Sequence, residues 1–399
     1  MTILCIASYE KGHEFLRECK RQGARTLLLT SLSLKDENAF PREALDDIFY
    51  MPDVEKKWNI VDTIKAVSHL ARTEQIDRLV PLDDFDLELA ATLREHLRIP
   101  GMGETTTRYF RDKLANRMKA AEAGIPVPQF VHVLNHARVN EFMDRVPPPW
   151  VLKPRLMAGA IGIKKVHSRE QFWDIANGLG DEQSYYVLEQ FIPGDVLHVD
   201  SIVYEREVRF AIASKYGKPP MQVSHEGDVF TTAILERGTP LESSLLELNG
   251  RVLAGLGLIR GVSHTEYIRA HDGGQLYFLE TAARVGGAHI ADLVEAASGL
   301  NLWAEWAKIE LAGGKAPYTV APSRCEYAAL LVTLAKQEWP DTRHYADPEI
   351  CWRIDKKHHV GFIVKSPGLD RVNQLLAQYL DRVRRDFWAY LPPKERPSD

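Results

Sequence analysis

The sequence predicts a multidomain α/β protein that opens on a doubly wound parallel sheet. Three observations carry this reading. Short apolar runs alternate with amphipathic stretches through the first ~95 residues. Further on, the turn HDGG at 271–274 stands between two alternating apolar runs, the mark of a β-hairpin. The length of 399 residues, at about 150 residues per domain, allows two to three domains.

Residues 2–7 (TILCIA) and 26–30 (TLLLT) read as strands with a helix at 10–22 between them. A helix at 58–74, the strand RLVPL at 78–82 and a helix at 86–96 complete a βαβ pattern. No GxGxxG turn opens it, so dinucleotide binding is unsupported. A helix at 104–123 starts on threonines and stops at Gly124, before IPVP. The stiff segment PPPW (147–150) leads into VLKP (151–154) and a small-residue loop, RLMAGAIGIKKV (155–166). A helix at 168–178 and the strand YYVLEQFI (185–192) follow, then strand-like runs at 196–216 and 228–235 and a helix at 241–256. VSHTEYIRA (262–270) and QLYFLETA (275–282) form the hairpin. A helical stretch runs over 288–312, and the last ~80 residues read as a few strands with a helix at 369–386 and a frayed tail, PPKERPSD.

Composition excludes several function classes. With 45% apolar and 26% charged residues the chain is ordinary globular protein. A net charge of −5 argues against a nucleic-acid partner, which calls for a concentrated basic face. RIDKKHHV (353–360) reads as an exposed turn. Cys5, Cys19, Cys325 and Cys351 show no close spacing, so neither a zinc knuckle nor a disulfide framework is indicated. The N-terminal run reads as a buried strand and not a signal peptide. No apolar stretch approaches the roughly 20 residues that span a bilayer, so no membrane association and a cytoplasmic setting are expected.

Four features can carry chemistry. Lys153, at a strand end before Ala158, Gly159, Ala160 and Gly162, suits a phosphate clamp, because small residues let backbone N–H groups approach an anion. A plain flexible hairpin is the alternative. Glu266 and Glu280 sit among apolar neighbours on the two strands of one hairpin. A buried carboxylate needs a partner, and two of them can share a hard cation. Either acid alone reads as a solvent-facing strand edge. Arg284 adds a base at the same strand end. LEQFIPG (188–194) offers a dry slot for adenine, or an ordinary buried strand. Lys113 alone reads as a solvated helical lysine.

Taken in order, these features resemble the ATP-grasp superfamily of carboxylate–amine ligases over nearly the whole chain. LVPLDDFDLELAATLREHLRIPG (79–101) looks like the end of the domain before the grasp, and DKLANRMKAAEAGIPVPQF (112–130) like its first helix. VLKP, LEQFIPG, SHTEYI and LETAARVGG look like the ATP and metal elements. The resemblance implies an N-terminal α/β domain at 1–100, a small grasp subdomain with a lid at 101–187, a main subdomain with the metal site at 188–315 and a C-terminal lobe at 316–399. It implies that Lys113 and Lys153 contact ATP phosphates, with Gly159 and Gly162 in the loop that closes over them. Glu189 and the backbone at Phe191 and Ile192 hold adenine, and Asp195 stands near the ribose position, although strict spacing points to Val196. Glu266 and Glu280 bind Mg2+, with Mn2+ as the alternative ion, and Arg284 stabilises the transferred phosphoryl group.

Ala282 departs from the pattern, since that position is usually an Asn metal ligand. HTE (264–266) with ETAAR (280–284) resembles the dipeptide-forming L-amino acid ligases. Ser224 and His225 match the place where a His lies by the substrate, although His225 also reads as a solvated turn residue. His264 reads as a structural group beside the acid. Ala288, four residues past Arg284, leaves room for a larger substrate. The implied reaction phosphorylates a carboxylate with ATP and couples it to an amine. The alternatives are another ATP-grasp ligase, of the nucleotide-biosynthesis or carboxylase type, and a nucleotide-binding protein without turnover. Partners are small-molecule carboxylates and amines. Oligomeric state stays open, a homodimer being the commonest assembly.

Overall fold

A computed structural model describes residues 1–37 and 39–390. Four parallel strands lie in the order Asp47–Met51, Arg25–Ser31, Thr2–Ala7, Arg78–Pro81. Ile3, Cys5 and Ala7 pack with Phe15 and Leu16 of helix His13–Arg21, while Leu4 and Ile6 pack with Val67 and Leu93 of helices Ile60–Leu70 and Leu87–Leu97. Burial on both faces is why these strands read as unbroken apolar runs. The expected doubly wound sheet is present, with one strand more than its sequence revealed. DIFYM (47–51) carries an Asp and follows turn-like residues, which hides it. Strand order reverses between Thr2–Ala7 and Arg78–Pro81, so the carboxyl ends of these two strands flank a topological switch point.

The helix expected at 104–123 is two helices, Glu104–Arg108 and Lys113–Glu122. Asp112 makes the break: its side chain accepts from the Leu114 N–H at 3.0 Å and caps the second helix. An antiparallel four-stranded sheet follows, ordered Phe130–His132, Tyr186–Gln190, Trp150–Pro154, Lys164–Val166. Phe142 and Phe172, from helices His136–Arg145 and Arg169–Leu179, bury against it. Strand Tyr186–Gln190 straddles the expected division at 187/188.

The largest sheet has eight strands, ordered Leu276–Ala282, Gly261–Ala270, Gly194–Tyr204, Glu207–Tyr216, Phe230–Ile234, Tyr327–Leu334, His359–Ser366, Ile350–Arg353. The hairpin over 261–282 turns on Gly273 and Gly274, both left-handed at φ 68° and 67°. On strand Gly194–Tyr204, Leu197 and Val199 face helix Pro240–Leu256, whereas Val196 and Ile202 face the opposite core. That opposite core includes helices Ile290–Ser298 and Leu302–Ala312, expected as one stretch. Left-handed Gly299 at φ 79° ends the first, and Asn301 caps the second through the Ala304 N–H. The strands beyond residue 316 extend this same sheet, and helix Leu369–Asp386 covers them. The exposed turn expected at 353–360 is shorter: residues 354–358 join strand Ile350–Arg353 to His359–Ser366, and Val360 is buried in the latter. The tail PPKERPSD lies outside the described residues. Among the described residues no helix is long and apolar enough to cross a membrane.

Candidate active site

A cleft of about 630 Å³ opens between the four-stranded antiparallel sheet and the hairpin face of the large sheet. Of the expected site residues, Lys113, Lys153, Gly159, Glu189, Phe191, Ile192, Glu266, Glu280, Arg284 and Ala288 line it. They arrive from segments far apart in sequence.

Glu266 and Glu280 are direct cross-strand partners, and a bulge follows, with Tyr267 opposite Phe278. The extra residue, Leu279, also lines the cleft. Glu266 accepts a hydrogen bond from the Tyr216 hydroxyl at 2.8 Å and has His264 Nε2 at 3.6 Å. Behind it, buried Asp200 takes His264 Nδ1 at 2.9 Å and His198 Nδ1 at 2.8 Å, while His198 Nε2 meets the Thr232 hydroxyl at 2.7 Å. His198, Asp200 and His264 lie close enough to hold a metal ion, but their ligand atoms are spent on one another, so they form a hydrogen-bonded bracket behind Glu266. Burial pulls the His264 pKa down, yet Asp200 and Glu266 outweigh it and raise the value to about 9.

Glu280 pairs with Lys113 Nζ at 2.9 Å. Lys113 is only 6% exposed, so the solvated-lysine reading fails. The N-terminal position of its helix, fixed by the Asp112 cap, turns its side chain inward. Lys153 pairs with Glu189 Oε2 at 2.7 Å, and Glu189 Oε1 lies 3.0 Å from Arg117 Nε. Glu189, expected at the adenine, lines the cleft with its carboxylate paired to two buried cations. Burial opposes the charged form of Glu189, and Arg117 and Lys153 hold it below the usual carboxylate range. Burial pushes Lys153 down from its ordinary value even with Glu189 beside it.

The small-residue loop is left-handed at Gly159, Ala160 and Gly162, with φ of 67°, 63° and 71°. Gly162 does not line the cleft; a Cβ there would meet Pro154 at 2.9 Å, so its glycine serves the loop's path. Three successive residues staple the loop's base. Arg111 donates to the Leu156 carbonyl, Asp112 pairs with Arg155, and Lys113 Nζ donates to the Met157 carbonyl at 2.5 Å. Lys165 sits over the Phe191 ring at 3.9 Å.

Asp195, expected near the ribose, stands outside the cleft lining. It lies on the face of its strand away from the cleft, paired with Lys215 at 2.8 Å, and Val196 lines the cleft instead. Ser224 does not line the cleft either. The segment read as a loop is a helix, Pro220–Glu226, whose Met221, Gln222 and Glu226 do so. His225 belongs to that helix, not to a turn, and its side chain lies outside the described residues. Ala288 and His289 are both left-handed, at φ 50° and 63°.

No family model matches the chain. It is 28% identical over 233 residues to an L-arginine-specific L-amino acid ligase of Bacillus subtilis, covering 57% of this chain and 56% of that one. The chain spans about half the length of the curated relatives it matches. An L-amino acid ligase structure from Bacillus licheniformis superposes with a TM-score of 0.76 at 17% identity, over 98% of both chains. The N5-carboxyaminoimidazole synthetase of Staphylococcus aureus, complexed with ADP, gives 0.71 at 15% identity over 95% of this chain and 96% of that one.

The chain has the ATP-grasp fold. Its two antiparallel sheets close on the cleft, and the resemblance to L-amino acid ligases read from HTE and ETAAR holds.

The grasp cleft also contains groups that sequence reading passed over. Asp84, Arg111 and Tyr216 line it, with Arg117, His198 and Asp200 just behind. Arg117, four residues after Lys113, shares its helix face, and His198 with Asp200 shows the i, i+2 spacing of one strand face. Those spacings were available signals. Tyr216 had none, because its partner Glu266 is distant in sequence. The residues present fit magnesium: two carboxylates supply hard oxygen donors on one face of one hairpin, and Glu280 already balances a cation. Ala282 contributes no donor atom.

Proposed function

We propose that this protein is an ATP-dependent ligase that couples a carboxylate to an amine, acting on amino acids or a peptide-like natural product. The observation that carries it is the cross-strand pair Glu266–Glu280 in the same cleft as Lys113, Lys153 and the glycine loop. Val151, Phe191 and Leu279 offer apolar surface for adenine, and Lys113 and Lys153 offer charge for phosphates. Glu266 and Glu280 would hold magnesium, which supplies charge neutralisation for phosphoryl transfer when bound.

A carboxylate is a poor electrophile. Transfer of the γ-phosphoryl group of ATP onto a carboxylate oxygen gives an acyl phosphate and ADP. An amine then attacks the acyl carbon, the C–O bond to phosphate breaks, and an amide forms with loss of the amine proton. Arg284, held beside the acids, meets the negative charge that builds on the phosphoryl group and the oxyanion. The 155–163 loop excludes water that would hydrolyse the acyl phosphate. Likeness to the arginine-specific ligase supports amino acids as the substrate class. The four cysteines are unpaired, which fits a cytoplasmic site of action.

The test is a screen of phosphate release from Mg-ATP with all pairs of amino acids. Release that requires both an amine and a carboxylate supports the ligase. Tight ATP binding with no release under any pair would support the non-turnover alternative that Ala282 raises. Release with bicarbonate and an aminoimidazole in place of amino acids would favour the other ATP-grasp chemistry.

A further inference from the structure

The topological switch point of the N-terminal sheet opens onto the grasp cleft. Three acids, Asp83, Asp84 and Asp86, follow strand Arg78–Pro81 there, and two have structural work. Asp83 accepts from the Phe85 N–H at 3.0 Å, capping the short turn. Asp86 accepts from the Ser8 N–H at 2.9 Å, tying the turn to the end of the first strand.

Asp84 has no such task. It lines the cleft, is 8% exposed, and its Oδ1 has no hydrogen-bond partner among the described residues. Its ion pairs are long: Arg284 Nε lies 3.7 Å from Oδ1 and Arg111 NH1 3.5 Å from Oδ2. Both arginines spend other N–H groups on backbone carbonyls, Arg284 on Val285 at 2.8 Å and Arg111 on Leu156, and Arg111 also rests on the Phe85 ring. Arg111 Nε is a second buried polar atom without a hydrogen bond. Orphaned polar atoms of opposite charge at one end of a cleft are costly unless a ligand completes them.

We propose that Asp84 and Arg284 together receive an α-amino acid as a zwitterion. Asp84 takes the ammonium group and Arg284 faces the carboxylate that is activated, with Arg111 keeping Asp84 ionised and in place. An Asp–Arg pair set side by side but not closed into a hydrogen bond is the complement of an ammonium and a carboxylate on one carbon. The N-terminal domain thereby selects α-amino acids over plain carboxylic acids. This rests on the ligase reading and names the residue that sets its substrate class.

The test takes the amino acid that serves as carboxylate donor, holds the amine partner fixed, and compares the donor with its deaminated analogue in the wild-type protein and in Asp84→Asn and Asp84→Glu. Wild type should favour the amino acid by about tenfold or more in kcat/KM, since losing a hydrogen bond to a charged group costs that much. Asp84→Asn should erase most of this preference through KM, and Asp84→Glu should keep part of it. Calorimetric binding of the amino acid in the presence of a non-hydrolysable ATP analogue should weaken in step. Equal use of the two compounds by wild type overturns the inference without any variant. So does a preference that survives in Asp84→Asn. If no carboxylic acid supports phosphate release in wild type, the ligase reading itself fails and this inference with it.

Discussion

Glu280 faces Lys113 across 2.9 Å, so it holds a cation of the chain while standing opposite Glu266. Glu280→Gln keeps the shape and removes the charge; turnover should fall by about 100-fold or more, with an unchanged circular dichroism spectrum. Near-normal phosphate release would remove Glu280 from the site. Arg284→Ala should lose turnover similarly. Asp200 makes a different prediction. Wholly buried between two imidazoles, it compensates the charge of His264. Asp200→Asn should lower unfolding stability by about 3 kcal/mol or more, because breaking a buried pair strands its partner; a denaturant titration measures it. The two glutamates were legible because acids among apolar strand residues demand an explanation. Asp84 was not, since its meaning depends on Arg111 and on Arg284, 200 residues further along.

Two elements around the cleft are held by side chains that local patterns do not announce. The 155–163 loop is stapled by Arg111, Asp112 and Lys113. Helix Pro220–Glu226 is followed by Asp228, which pairs with Arg384 of helix Leu369–Asp386 at 2.8 Å and with Lys218 at 2.8 Å. Burial opposes the Asp228 charge, but these cations hold its pKa down at about 2, from an ordinary 3.8. The stability from these pairs is therefore complete above about pH 4 and lost as pH falls toward 2. The stability gap between wild type and Asp228→Asn should be constant from neutral pH to 5 and shrink below 4. A gap that widens on acidification would contradict the pairing. Ala288 tests the pocket. Its left-handed backbone, φ 50°, already carries strain of about 1 kcal/mol or more that any side chain with a Cβ shares, so Ala288→Trp adds bulk. Substrate preference should move toward smaller amino acids, with Ala288→Gly as the strain-free control; an unchanged preference in Ala288→Trp would sink the pocket assignment. Hairpin 261–282 was readable from Asp-Gly turn chemistry. The breaks at 109–112 and 299–301 were not, because capping residues inside a long helical pattern look like ordinary polar positions. Helix Pro220–Glu226 is too short to show a period.

At the scale of the molecule, the order of the motifs revealed the grasp, while its surroundings needed coordinates. The strands of the expected C-terminal lobe extend the large sheet, a pairing that leaves no local trace in sequence. The N-terminal sheet meets the grasp through Arg78, whose guanidinium donates to the Glu310 carbonyl at 3.1 Å and to that of Gly313 at 3.2 Å. Mg-ATP should stabilise the whole molecule by about 2.7 kcal/mol at 100 times its Kd, and a thermal shift that needs the metal would show it. In the proposed reaction a carboxylate is phosphorylated before the amine attacks. The direct measurement is isotope transfer: an amino-acid substrate carrying heavy oxygen in its carboxylate is turned over with Mg-ATP, and the released phosphate is weighed by mass spectrometry. The proposed order places one labelled oxygen in inorganic phosphate, with ADP as the nucleotide product. Label in AMP, or phosphate released without label, would contradict it.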